Sequence, residues 1–454
     1  MLSVILFTNR FYISYFMKDT PINYEVVQRH FQDSKILNIG KATIREVKRL
    51  INGIEKETGE KFIRMEMGVP GLPANSIGVQ AEIEALNKGV AAIYPDIEGT
   101  PVLKQEASRF VKLFLDIDVD AANCVPTVGS MQGGFAAFLT FSKIDRVKDT
   151  TLFIDPGFPV HHQQHRVLGL NFESFDVYDY RGDKLRDKLE SYFSKGNIHS
   201  LLYSNPNNPS WICFTEHELS IIGDLANKYN VIVIEDLAYF AMDFRKDYSK
   251  PGQPPHQPTV ARYTENFVLL ISSSKIFSYA GQRIGLMIVS NKLFNTRSAN
   301  LLWSYTTDIV GRALIYGTVY ALSAGTTHST QYGLAAMLKA ANDGTFDFVE
   351  VVKEYGAKAK IMKRMFTDNG FTIVYDKDED DPIADGFYFT VAYPGFTGEE
   401  LLQELIYYGI SAIALSITGS ERMEGIRACV SLVKREQFPA LEVRLRKFRE
   451  NHEK

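Results

Sequence analysis

Between about Thr151 and Val289, short apolar runs alternate with stretches whose apolar residues recur every three or four positions. The runs are "TLFID" at Thr151, "SLLYS" at Ser200, "VIVIE" at Val231, "FVLLIS" at Phe267 and "IGLMIV" at Ile284, and their lengths suit strands. In the intervening "TEHELSIIGDLANKY", Leu219, Ile222, Leu225 and Ala226 fall on one face of a helix. Such alternation predicts an α/β domain with a largely parallel sheet covered by helices. Ligands of these sheets sit at the carboxyl ends of the strands. Four runs end there in polar residues: Asp155 before "PGFP", Ser204 before "NPNNPS", Glu235-Asp236 before "LAY", and Ser272 before "SSK". The site is expected at those ends.

The flanks read differently. From Asn23 to Gly59, Val26, Phe31, Ile36, Ile44, Val47 and Ile51 recur among charged residues and predict amphipathic helices, followed by the punctuated "MGVPGLPANSIG". After Tyr332 a long helix is expected through Arg364, then strands in "FTIVY" and "GFYFTVAY" around the acidic "DKDEDD", a helix, a strand and a charged C-terminal helix. The acidic stretch reads as a solvated hairpin connection and not as a metal site. In the last helix Leu441, Leu445 and Phe448 form one stripe, which predicts packing on the domain. The expected division is 1–65 as an arm and helices joining the small domain, 66–325 as a large α/β domain, and 326–454 as a smaller α+β domain.

Composition narrows the class. The chain has 454 residues, 45% hydrophobic and 23% charged, the mixture of an ordinary globular protein. A net charge of -4 gives no basic field for nucleic acid. Three cysteines far apart fit neither a disulfide framework nor a zinc pattern, which predicts a reducing, cytoplasmic compartment. The opening "MLSVILFTNRFYISYF" is interrupted by Asn9 and Arg10, so neither a signal peptide nor a membrane span is expected, and Met17 is a candidate for the true start.

Against this background "SSSKIFSYAGQRIG" is unusual, because an apolar strand delivers Lys275 to a sheet edge. A lysine amine, an anion site and an acidic residue on neighbouring strand ends are together what pyridoxal 5'-phosphate requires: an amine for its aldehyde, donors for its phosphate and a carboxylate beside its pyridine nitrogen. "CVPTVGSMQGGFAAFLTF" reads as a turn leading into a helix, whose first N–H groups near Gly129, Ser130 and Met131 would attract phosphate with about half a unit of positive charge. It lacks a P-loop lysine and does not match the dinucleotide fingerprint.

Here the chain resembles the class I/II aminotransferases, the fold-type I family of pyridoxal phosphate enzymes. The likeness lies in Ser272, Lys275 and Arg283 of the lysine segment, in "NPNNPS", in "EDLAY", in "DPGFP" and in "YPDIEGTPVLK", in order from about Gly68 to Arg427. The resemblance implies a large domain with a mostly parallel seven-stranded sheet flanked by helices, plus a smaller α+β domain. It implies Lys275 as the Schiff-base residue and proton carrier, Asp236 beside the pyridine nitrogen, and Tyr239 and Asn208 on the ring oxygen. Phe158 would stack on the ring, where the family commonly has tyrosine or tryptophan. Arg283, Ser272 and Ser130 would hold the phosphate beside the helix start at Gly129 and Met131, with Tyr94 reaching the phosphate of the neighbouring subunit in a homodimer. Arg427, in "GIRACVSL", would grip the substrate carboxylate with its planar fork, with Asn208 and Gly71 nearby.

The chain departs from the family at Ser210 and Trp211, where threonine and glycine are common, which predicts a differently shaped loop and a bulkier entrance. Gly71, Leu72, Pro73, Tyr94 and Trp211 are the expected wall of the substrate pocket. "HHQQH" from His161 is expected to lie near the cofactor and to bind no metal. The implied activity is transfer of the amino group of an L-amino acid to a 2-oxo acid. A carbon–sulfur lyase or another elimination enzyme of the same fold is the rival, since fold does not fix reaction, and a non-catalytic sensor is a more distant one.

Overall fold

The computed structural model describes residues 19–453. The opening sixteen residues and the candidate start at Met17 therefore lie outside the described residues. The central sheet has seven strands: β1 (Cys124–Thr127), β2 (Thr150–Asp155), β3 (Asn171–Asp176), β4 (Ile198–Ser204), β5 (Ile232–Leu237), β6 (Phe267–Ser272) and β7 (Gly285–Val289). Their spatial order is β1-β7-β6-β5-β4-β2-β3, and only β7 runs against its neighbours. Alternate side chains enter two cores. Leu152, Ile154, Val233, Leu269 and Ile271 belong to one, while Phe153, Ile232, Ile234, Val268 and Leu270 belong to the other. Both faces of the sheet are thus buried, which is why the runs are apolar throughout instead of alternating.

Two strands differ from expectation. "CVPT" is a strand and not a turn. It lies at the sheet edge, where Pro126 can sit without leaving a central ladder short of a donor. β3 is the opposite edge, and its half-polar "NFESFD" carries no apolar run to find. The helix Glu216–Tyr229 forms as predicted. Thr215 and Glu218 close a capping box at its start, and Leu219, Ile222, Leu225 and Ala226 are buried.

The second sheet has four antiparallel strands, β8 (Thr372–Ile373), β9 (Tyr388–Ala392), β10 (Ile413–Ala414) and β11 (Ile426–Cys429), in the order β10-β11-β9-β8. Ahead of it the expected long helix is two helices, His328–Asn342 and Phe348–Asp368, broken where Gly344 takes the left-handed conformation. The first packs along Ser76–Asn87 and Pro101–Leu115; the second packs on the small sheet and on the C-terminal helix Phe438–His452. Leu441, Leu445 and Phe448 of that last helix are buried. The helices Tyr24–Ser34 and Ile44–Thr58 are followed by Ile63–Arg64, which pairs in parallel with Ile410–Ser411.

The acidic connection does form a hairpin, Lys377–Asp378 against Asp381–Pro382, but it is not simply solvated. Asp378 is buried: Arg181 Nη1 and Arg245 Nη2 donate to its carboxylate at 2.8 and 2.7 Å, and the Cys213 backbone N–H donates at 3.2 Å. Among the described residues no cluster could hold a metal ion, and no helix is long and apolar enough to cross a membrane. Asp378→Ala leaves both guanidiniums one carboxylate short, although Glu218 and Asp243 remain with them. The expected cost is about 2 kcal/mol, below that of wholly isolating a buried ion. It should be read as a lower denaturant midpoint at unchanged slope.

Candidate active site

The register of the large sheet assembles the site. Ser204 stands opposite Asp236 across β4 and β5, while Gly285 stands between Thr127 and Ser272. A Cβ on Gly285 would lie 2.8 Å from the Ser130 nitrogen, so glycine lets the helix Gly129–Phe141 start directly above the strand ends. Gly129 itself has φ +67°, and a Cβ there would come within 2.5 Å of Arg283 Nη2. Ser272 caps the short helix carrying Lys275: its oxygen accepts from the Ser274 N–H at 3.2 Å, which leaves its own hydroxyl proton available.

These elements border a cleft of about 260 Å³ lined by Ser130, Met131, Phe158, Asn208, Asp236, Tyr239, Ser272, Lys275, Arg283 and Arg427. Ten residues singled out from the sequence therefore meet in one place. Gly129 joins them through its contact with Arg283. Gly71 does not line the cleft: its N–H donates to the Tyr355 hydroxyl at 3.1 Å, and a Cβ would run into the Ser431 carbonyl. Tyr94 is 90% exposed and outside the cleft of its own chain. Of the residues read as a substrate wall, Gly71, Leu72, Pro73 and Trp211 do not line this cleft, nor does Tyr94, which was expected to serve the neighbouring subunit; Ile44, Met67, Val69 and Tyr388 are among the residues that do.

Trp211 also corrects the expected bulky entrance. Its ring is fully buried, edge-on to Tyr239 at 5.3 Å, and occupies the space that a side chain on Gly386 would need. Trp211 thus packs behind Tyr239 and does not line the cleft. The Asn208-Pro209 peptide is cis.

The electrostatics of the cleft are unbalanced. Lys275, Arg283 and Arg427 face it with Asp236 as the one carboxylate among the lining residues. Burial, with Arg427 and Arg283 close by, lowers the Lys275 amine to about 8, and Nζ donates to the Gly68 carbonyl. Arg427 is 1% exposed, and among the described residues no carboxylate pairs with it. Its Nη1 donates to Asn208 Oδ1 at 3.1 Å and its Nη2 to the Glu66 carbonyl at 2.7 Å, while Nε is buried without a partner. A buried cation lacking a counter-ion is costly, so the site is built for an anion from outside.

Strand alternation turns Asp236 into the cleft and Glu235 away from it, where Glu235 bonds Thr259 Oγ1 at 2.5 Å and burial pushes it up to about 7. Asp236 Oδ1 accepts from the Ala238 N–H at 3.1 Å, and Oδ2 lies 3.3 Å from His161 Nε2. "HHQQH" is thus on the helix Pro159–Leu168 beside the site, and His161 holds Asp236. Nothing in the sequence distinguished His161 from its two neighbouring histidines. Tyr239 shares a 2.7 Å hydrogen bond with the Tyr388 hydroxyl, and burial raises both phenols well above their usual range, so both remain proton donors. Tyr388 was not anticipated either, because "GFYFTVAY" reads as a core strand.

Comparison with known proteins agrees with this geometry. The family profile described as "Aminotransferase class I and II" matches residues 69–441. A probable aspartate aminotransferase of Methanocaldococcus jannaschii is 24% identical over 351 residues, 76% of this chain and 84% of that one. An aspartate aminotransferase of Pyrococcus horikoshii is 23% identical over 273 residues, 59% of this chain and 64% of that one. Among solved structures, alanine aminotransferase from Pyrococcus furiosus shares the fold with a TM-score of 0.73 at 18% identity, covering 91% of this chain and 98% of that one. With strand ends, cleft and sequence profile in agreement, the chain belongs to the class I and II aminotransferase family and is an aminotransferase.

Proposed function

We propose that this chain moves the amino group of an L-amino acid to a 2-oxo acid with pyridoxal 5'-phosphate held at Lys275. The observation that carries the reading is one cleft holding a buried amine, a buried guanidinium without a counter-ion, and a lone carboxylate. The residues fit the group. Gly129 and Gly285 leave a cradle that a Cβ would fill, and Ser130, Ser272 and Arg283 border it with donors for a phosphate. When bound, pyridoxal phosphate supplies an aldehyde that bonds reversibly to amines and a ring that accepts the electron pair left at Cα.

The chain's own residues supply the rest. Asp236, held by His161, is the carboxylate that would pair with the pyridine nitrogen. Tyr239 offers its proton to the ring oxygen, and Phe158 covers the ring face. Arg427 orients the substrate by its α-carboxylate, which places the Cα hydrogen for Lys275. Lys275 Nζ accepts that proton and returns it, a role suited to an amine lowered to about 8. Ile44, Met67 and Val69 add apolar lining to the cleft, and Asp236 is its one carboxylate, so donors with uncharged side chains fit this chain's own contribution.

In the same reading the working unit is a homodimer in the cytoplasm, with exposed Tyr94 reaching the neighbouring subunit's phosphate site. The chain divides into 1–65, a large domain from 66 and a small C-terminal domain. The second boundary shifts from 326 to the break at 343–347, because the helix His328–Asn342 packs on large-domain helices. Donor profiling tests the function. Glutamate, aspartate, phenylalanine, leucine, alanine and cysteine are each added to the cofactor-loaded protein, and both the absorbance change and the oxo acid formed are followed. Transfer to a 2-oxo acid acceptor is expected. Release of ammonia or thiol without transfer would favour the lyase.

A further inference from the structure

The small domain sends Tyr388, the first residue of β9, into the cleft among three of the groups described above. Its ring lies 4.4 Å from the Arg427 guanidinium carbon, and its hydroxyl is 2.7 Å from that of Tyr239. The same hydroxyl stands over Gly68, where a Cβ would be 1.9 Å away, and the Gly68 carbonyl is the acceptor of Lys275. Tyr388 has no freedom to turn aside. It is 2% exposed, with Trp211 edge-on to it at 6.2 Å and Phe387 edge-on at 5.1 Å.

We propose that Tyr388 is a positioning residue for transamination, acting through Tyr239 on the cofactor's ring oxygen and through Arg427 on the substrate carboxylate. The inference rests on the function proposed above. Two hydroxyls at 2.7 Å share one proton between them, so when Tyr239 donates to a ring oxygen its own oxygen must accept from Tyr388. Donors in such a chain polarise one another, and Tyr388 thereby strengthens the bond that Tyr239 makes. A ring oxygen less well stabilised holds the neighbouring nitrogen's proton more tightly, which moves the titration of the bound cofactor upward. The second action uses the ring. A guanidinium lying over an aromatic face is fixed in plane, with its edge left for a planar carboxylate.

Two variants separate the actions. Tyr388→Phe keeps the ring and removes the hydroxyl. The pH at which the loaded protein's absorbance changes should rise by roughly half a unit, with KM for amino donors within about 2-fold of wild type. Tyr388→Leu removes both, and KM for every carboxylate-bearing donor should rise about 10-fold in addition. Tm and cofactor content of each variant, measured alongside, report folding. An unchanged absorbance titration in Tyr388→Phe overturns the proposal, and that variant decides even if Tyr388→Leu fails to fold. An unchanged KM in folded Tyr388→Leu overturns the role through Arg427. If the wild-type protein takes up no pyridoxal phosphate, the fault lies instead with the function on which the inference rests.

Discussion

Lys275→Ala should lose turnover by about 10,000-fold or more, the upper end of what one proton-transferring group supplies, and should lose its covalent hold on the cofactor as well. In wild type, borohydride followed by peptide mass spectrometry should leave the cofactor's mass on the peptide containing Lys275; in the variant no lysine should carry it. Phosphate binding should persist, since Ser130, Ser272 and Arg283 are untouched, so the variant separates loss of the amine from loss of the site. The pH dependence has a fixed sign. Only the neutral amine attacks an aldehyde, and burial beside Arg427 and Arg283 lowers Lys275 to about 8. At pH 7 roughly a tenth of the molecules then carry a neutral amine, against roughly one in three thousand for an ordinary lysine. The rate of cofactor uptake by the cofactor-free protein should therefore rise with pH and level off above about 8. Uptake still rising steeply through pH 10 would mean that the cleft does not perturb this lysine.

Much of this site was legible because strand ends are local. The polar residue closing each apolar run, Ser204, Asp236 and Ser272, sits where the run stops, and a sheet brings such ends together whatever the intervening helices do. Parts that depend on cross-chain approach were hidden. Trp211 looked like a residue at the mouth because it lies three residues from Asn208, yet the small domain closes over it and Gly386 leaves room for its ring. Asp378 stood in a run of acids that reads as solvent-facing, and only the fold shows Arg181 and Arg245 converging on it. "CVPT" was lost to its proline, a residue tolerated at an edge and misleading without knowledge of where the edge is. Tyr388 is hidden most completely, since a strand residue that serves a site and one that fills a core share the same pattern.

Arg427→Leu should cut kcat/KM for amino acids by about 100- to 1,000-fold while the protein still takes up its cofactor, more slowly at neutral pH because Lys275 loses a neighbouring cation that lowers its amine. The size follows from burial: the guanidinium is 1% exposed, and with no carboxylate of the described chain pairing with it, a substrate anion meets the full desolvated charge. Arg427→Lys separates charge from shape. A lysine retains the cation but cannot present two parallel N–H groups, nor serve Asn208 Oδ1 and the Glu66 carbonyl from one rigid plane as the native fork does. About 10-fold or more of the loss should therefore remain in that variant, chiefly in KM if the fork only binds, and in kcat also if it aligns Cα with Lys275. A primary amine without a carboxylate provides the control, because its slow reaction should be the same in wild type and both variants. Were Arg427 a purely structural cation, amines and amino acids would suffer alike and Tm would fall with them. That pattern would remove the carboxylate anchor from the site and leave Lys275 with no means of selecting an α-amino acid.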